Sequence, residues 1–183
     1  QRMIFGYTGR TDWRDSRGHA WRPATEFVTR LRSGQDSVRQ CWWTNATDGP
    51  IGGTADPEVY RYGVHAADFW VNVTVGPGKY HARLKFAATR GQDTGTNCFD
   101  ICINGRRVVE RFDVNATAGG TNRAVDLVFN GLEPRNGIIE VRLTGAERLE
   151  DGEIVRGQTF LQALEIGPGK GGHGAKPVSV PAQ

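Results

Sequence analysis

The sequence predicts an all-β chain folded as an antiparallel β-sandwich of jelly-roll type, with long loops gathered at one end. Three observations carry that expectation. Apolar and polar residues alternate with a period of two over several short runs, most clearly where Tyr80, Ala82, Leu84 and Phe86 interleave with His81, Arg83 and Lys85. This is the pattern of a strand with one dry face and one wet face. Turn chemistry separates the runs: Asn104-Gly105 is the dipeptide that most readily takes the positive φ angles of a tight hairpin. Finally, the 183 residues include 25 glycines and 8 prolines with almost no uninterrupted helical periodicity, which favours strands and loops over helices. The length suits one domain that buries about two-thirds of its unfolded surface.

Taken in order, Met3 to Thr8 reads as a first strand, with Gly6 marking a bulge. Residues 12–18 form a polar turn ahead of Ala20-Trp21-Arg22-Pro23. Phe27, Val28 and Leu31 have the spacing of a short helical turn. Residues 33–57 read as loop, interrupted by Cys41-Trp42-Trp43. Two adjacent tryptophans cannot both point into one small core, so they serve either as a wet platform or as a plug and shield at the end of the sandwich. In the strand from Ala66 to Val75, Phe69, Val71, Val73 and Val75 face inward while Asp68, Trp70, Asn72 and Thr74 face out. Trp70 is thus either a binding aromatic or a side chain under cover. Gly76-Pro77-Gly78 turns the chain into the strand at Tyr80. Phe99, Ile101 and Ile103 alternate next, Val108, Val109 and Phe112 return, and Val125, Leu127 and Phe129 follow the Gly119-Gly120 break. Ile139, Val141 and Leu143 give another strand, Glu147 to Arg156 a charged loop, and Phe160 to Ile166 the closing strand. Residues 1–167 therefore make the domain and 168–183 a Gly/Pro-rich tail or linker, too poor in apolar residues to fold alone. Its literal GxGxxG, from Gly169 to Gly174, follows the last strand, and Pro177 forbids the helix that should receive a pyrophosphate.

Composition excludes several functions. A net charge of +3 and an isoelectric point near 8.9 are too weakly basic to imply nucleic acid. No run of 18 apolar residues is present, so no helical membrane span is expected. Cys98 and Cys102 stand about 13 Å apart along one strand and cannot pair with each other. Cys41 pairs with one of them, or all three are thiols; the spacing fits no zinc site. His19, His65, His81 and His173 sit in unrelated contexts, with no HExxH pair and no GxSxG elbow. No cofactor is expected beyond a structural calcium ion at Asp12 and Asp15, against which stands the commoner reading of surface turn aspartates. Asn45, Asn72 and Asn115 open glycosylation sequons. A chain starting at Gln1 without a signal peptide reads as a processed chain or excised domain.

Several motifs, in order, resemble the malectin and malectin-like carbohydrate-binding family: Lys85-Phe86-Ala87-Ala88, then Cys98 to Gly105 (CFDICING), then Phe112-Asp113-Val114 and Ala118-Gly119-Gly120. The segment around Trp21 and Pro23, Pro57 to Gly63 and Phe160 to Ile166 extend the likeness. The resemblance implies a galactose-binding-like sandwich, secreted, extracellular or periplasmic, that binds a polysaccharide or oligosaccharide without catalysis as an accessory module of a glycoside hydrolase. It also implies partners: the carbohydrate, and a catalytic domain or other subunit of the parent protein. The alternative is a structural sandwich that binds neighbouring proteins in an extracellular assembly. Malectin's gripping aromatic pair falls here on Arg90 and Gly91, the family glutamate on Ala88, and the aspartate before the last strand on Gly157. Stacking accordingly shifts to Trp21, Trp42 and Trp43, with polar contacts from Arg90, Asp93 and Gln158.

Overall fold

A computed structural model of the chain describes residues 1–24, 29–31, 42–44, 49–89, 95 and 97–181, with the backbone alone at 29–31, 42–44 and 150. Period-two alternation becomes two facing sheets. One has six strands, in the order β11 (Val125–Leu132), β8 (Tyr80–Phe86), β16 (Ala163–Pro168), β1 (Arg2–Ile4), β3 (Ala20–Pro23) and β2 (Trp13–Arg14). The other has five: β10 (Arg106–Phe112), β9 (Phe99–Ile103), β12 (Ile138–Gly145), β7 (Asp68–Thr74) and β4 (Thr29–Leu31). The pairings are antiparallel except β1 with β3, which run parallel. A three-stranded sheet of β15 (Thr159–Leu161), β6 (Tyr62–Ala66) and β5 (Trp42–Thr44) closes one end, and β13 (Glu147–Glu150) with β14 (Glu153–Arg156) forms a hairpin.

The inward residues of the two sheets meet in one core. Leu84, Phe86, Leu127 and Leu164 face Phe69, Val71, Phe99, Ile101 and Val141, all fully or nearly fully buried. Phe86, Phe99, Phe112 and Phe160 pack mostly edge to face, with centroids 5.2 to 6.4 Å apart. Each such side chain contributes about 2 to 3 kcal/mol by burial.

Four local expectations change. The first strand stops at Ile4, because the chain turns at Gly6, whose φ is 71°. Leu31 belongs to β4, paired with Phe69 rather than to a helical turn; Phe27 and Val28 lie outside the described residues. Trp42 and Trp43 belong to a strand, opposite Val64 and Gly63, not to a loop. The stretch from Glu147 to Arg156 is a hairpin turned at Asp151-Gly152, both at positive φ. A short helix, α1 (Val114–Ala118), also appears where only a strand end was expected; Asp113 caps it by accepting from Ala116 N at 2.8 Å.

The tail is seated on its own domain. Ala175 N donates to Asp126 O at 2.8 Å, Ser179 bridges Phe112, and Val180 N donates to Arg111 O at 3.1 Å. It thereby runs along the open edges of β11 and then β10, one edge strand from each sheet, which would otherwise present unpaired backbone there. Arg111 Nε donates to Val180 O at 2.8 Å and holds the far end.

Candidate functional site

The wet face of the six-stranded sheet carries a well-defined concavity. Its floor is the outward row of β8, namely His81, Arg83 and Lys85, with Asp126 of β11 and Glu165 of β16 beside it. The turn at 15–21 and the 53–60 segment make one wall; the tail from Lys170 to Ala175 makes the other, enclosing about 800 Å³. Glycines make that second wall feasible. A Cβ on Gly167 or Gly171 would stand 2.5 or 2.3 Å from the His81 ring, and one on Gly174 would stand 2.6 Å from Val128 N.

Charges on the floor are paired across strands. Lys85 Nζ donates to Asp126 Oδ2 at 2.8 Å and to the Tyr60 hydroxyl at 2.9 Å, and lies over the rings of Tyr60 and Trp21 at 5.0 and 5.6 Å. Arg83 donates to Asp126 Oδ2 at 2.9 Å and to Gly171 O at 2.6 Å, which ties the tail to the floor. Burial works against the Asp126 carboxylate, yet the Lys85 charge and the hydrogen bonds from Lys85, Tyr60 and Arg83 outweigh it, and its pKa lies below the usual range. Burial, then the Asp126 charge and hydrogen bond, push Tyr60 far above the usual phenol range, so it stays a donor. Lys85 has three N–H groups, two of them engaged, and so retains one donor for a ligand. Arg17, Lys170 and His173 are exposed on the walls.

Of the residues that sequence reasoning grouped, the structure describes Trp21, Gln158 and the backbone of Trp42 and Trp43. Trp21 lines this cleft but is only 2% exposed, with Nε1 donating to Asp15 Oδ2 at 3.0 Å. It therefore forms a rigid wall and offers no open face for stacking. Trp42 and Trp43 lie on β5, in the same small sheet as β15, which follows exposed Gln158. The backbone thus brings Trp42, Trp43 and Gln158 to one small sheet; the side chains of Trp42 and Trp43, and Arg90 and Asp93, lie outside the described residues. Gly157 has no room to be replaced lightly, since a Cβ there would stand 3.3 Å from Cys98 O.

Other expectations resolve at single residues. Asp15 spends both oxygens on its own turn, accepting from the backbone N–H of Arg17 and His19, from Trp21, and facing His19 Nδ1 at 3.0 Å. That commitment leaves little of the carboxylate for calcium. Cys98 and Cys102 are free thiols. Trp70 is covered by Arg142, whose guanidinium stands 5.8 Å from its ring centroid and donates twice to Asp68. The histidines are not scattered: His19, His81 and His173 line the one cleft. Sequence spacing hides this, because a turn, a central strand and the tail supply one each.

A family model described as the malectin domain matches residues 7–164. No curated protein matches the chain. Among solved structures, the ANXUR1 extracellular domain from Arabidopsis thaliana superposes with a TM-score of 0.71 at 15% identity, over 90% of this chain and 46% of that one. The ANX2 ectodomain from the same plant gives 0.70 at 14% identity, over 91% and 41%. The plant peptide RALF23 in complex with FER and LLG2 gives 0.65 at 17%, over 90% and 47%. At such identity the likeness is one of fold, and the chain spans about half the length of those ectodomains.

Proposed function

Because the chain belongs to the malectin domain family, we propose that it is a non-catalytic carbohydrate-binding module acting outside the cytoplasm, with its ligand seated in the cleft on the six-stranded sheet. The observation that carries this reading is the cleft itself: a floor of fixed, charge-paired hydrogen-bonding groups between an enclosed Trp21 and a wall of glycine-rich backbone. Sugar hydroxyls are held by donors and acceptors already locked in geometry, here Lys85, Asp126 and His81, while Tyr60 and Trp21 keep the pocket from collapsing. Trp42, Trp43 and Gln158 then supply a second contact set, to which Arg90 and Asp93 add polar contacts. In a longer parent the module would tether its neighbours to polysaccharide, as an accessory domain of a secreted glycoside hydrolase does.

Titration of the chain with a panel of neutral oligosaccharides, followed by tryptophan fluorescence and calorimetry, tests the reading. At least one sugar should bind, and Arg17→Ala with His173→Ala should weaken it about tenfold or more with an unchanged melting temperature. Trp42→Ala should lower affinity further if that second set contributes. A panel without a single binder would sink the proposal.

A second reading, as a protein-interaction sandwich, is favoured by one feature. Leu149 and Ile154 are cross-strand partners on the β13–β14 hairpin and are 71% and 72% exposed. In that reading Leu149→Ser with Ile154→Ser abolishes self-association or capture by a neighbouring domain, measured by sedimentation, and leaves sugar titrations unchanged.

A further inference from the structure

A second concavity lies between the edge strands β10 and β11, at the end of the sandwich that carries the 104–105 and 136–137 turns. It encloses about 750 Å³ and shares no lining residue with the first cleft. Its apolar side is made by Val108, Phe129 and Leu132, all only partly buried, and its polar side by Arg106, Arg107 and Arg135. The only acid in the lining is Glu133, which has Lys79 at 3.8 Å. Arg107 is already turned to Asp100 at 2.9 Å and Glu110 at 3.4 Å. Among the described residues, neither Arg106 nor Arg135 meets a carboxylate.

Those two arginines sit on stiff supports. Arg106 follows Asn104-Gly105 and Arg135 precedes Asn136-Gly137, and all four turn residues have positive φ between 51° and 76°. Both are therefore turns of the tight primed kind, which hold one conformation. Asn104 locks the turns together: its Nδ2 donates to Glu133 O at 2.8 Å and its Oδ1 accepts from Glu140 N at 2.9 Å. Arg135 Nη1 lies 3.8 Å from where a Cβ on Gly105 would be, so the second guanidinium rests on the first turn. Two like charges thus share one pocket beside an aromatic edge, and among the described residues neither is in an ion pair.

We infer that this end of the sandwich is a binding site for an acidic saccharide, its carboxylate or sulfate received by Arg106 and Arg135 and its apolar ring face set against Phe129. Guanidinium forks match both oxyanions in bidentate geometry, and a partly buried aromatic suits the C–H face of a pyranose. One aromatic and two unpaired charges in a concave pocket are too few for a nucleic-acid track, which needs a repeated stripe.

Calorimetric titration of the full chain with three probes tests the site: a heparin-derived tetrasaccharide, a hexuronate trimer and neutral maltotriose. The sulfated probe, the carboxylated probe or both should bind, more weakly as salt rises. Arg106→Gln combined with Arg135→Gln should weaken that binding about tenfold or more at an unchanged melting temperature, while His173→Ala in the first cleft leaves it intact. The inference is overturned if neither acidic probe binds, if maltotriose competes equally for the site, if the double variant binds like the parent, or if His173→Ala abolishes binding.

Discussion

Asp15 is the carboxylate that fixes where Trp21 goes. Its own burial raises its pKa, but the hydrogen bonds from Trp21, from His19 and from Arg17 outweigh that and bring it down to about 2. A depressed carboxylate stabilises the fold above its unfolded pKa, near 4, and loses that contribution as pH falls through about 2. Asp15→Asn should therefore flatten the decline in stability between about pH 4 and pH 2, and lower stability at neutral pH by about 1 to 3 kcal/mol. Acid unfolding curves of the two proteins, followed by circular dichroism, check this; parallel curves would refute it. Single residues were the least legible scale of the sequence. The polar turn before Trp21 could be read, but whether the indole faced water depended on one hydrogen bond to Asp15 and on Lys85 arriving from another strand. Asn115 gives the same lesson: its sequon is intact, yet it is only 8% exposed within α1, where a glycan has no access.

Elements were legible where alternation ran for five residues or more, as at β7, β8, β9 and β12. They were missed where pairing, not pattern, makes the strand. The β5 strand has three residues and owes its form to β6, and the β13–β14 hairpin was signalled by Asp151-Gly152, a turn dipeptide lost in a run of charge. The contacts of the tail were illegible for a further reason. Composition reports that it has few apolar side chains to bury, but it docks largely by backbone approach, which glycine permits and composition cannot display. Gly174→Ala tests that account. Its methyl would meet Val128 N at 2.6 Å and Asp126 O at 2.8 Å, both backbone atoms that cannot swing aside. The segment around Ala175 should lift, its amide should exchange with solvent at least about tenfold faster, and protease should cut near Lys176, with little loss of global stability. Unchanged protection of the Ala175 amide would show that the glycine is incidental.

Across the whole molecule, the facing sheets and their shared core follow directly from apolar periodicity, whereas the way the end sheet is joined to them does not. That joint is Gln162, between β15 of the three-stranded sheet and β16 of the six-stranded sheet, and it is fully buried. Every polar group of the residue is engaged: its N donates to Lys85 O at 3.1 Å, its O accepts from Phe5 N at 2.9 Å, and its amide pairs with both backbone groups of Ala87 at 3.0 and 2.8 Å. A polar residue in a run of apolar ones looks like an outward-facing position, and only the irregular end of β8 at Ala87 explains why it points in. Replacing it by Leu keeps the bulk but strands the Ala87 N–H and C=O away from water, at about 1 to 3 kcal/mol for each group. Gln162→Leu should therefore lower the unfolding free energy by about 2 to 5 kcal/mol. Gln162→Glu should do so in a pH-dependent way. The ionised carboxylate can accept from Ala87 N but opposes Ala87 O, while the protonated form can donate to it. Its deficit should shrink as pH falls toward about 4, until the general acid sensitivity of the fold takes over. Denaturant unfolding at two pH values measures both; a Leu variant as stable as the parent would mean that the end sheet is held to the sandwich by packing alone.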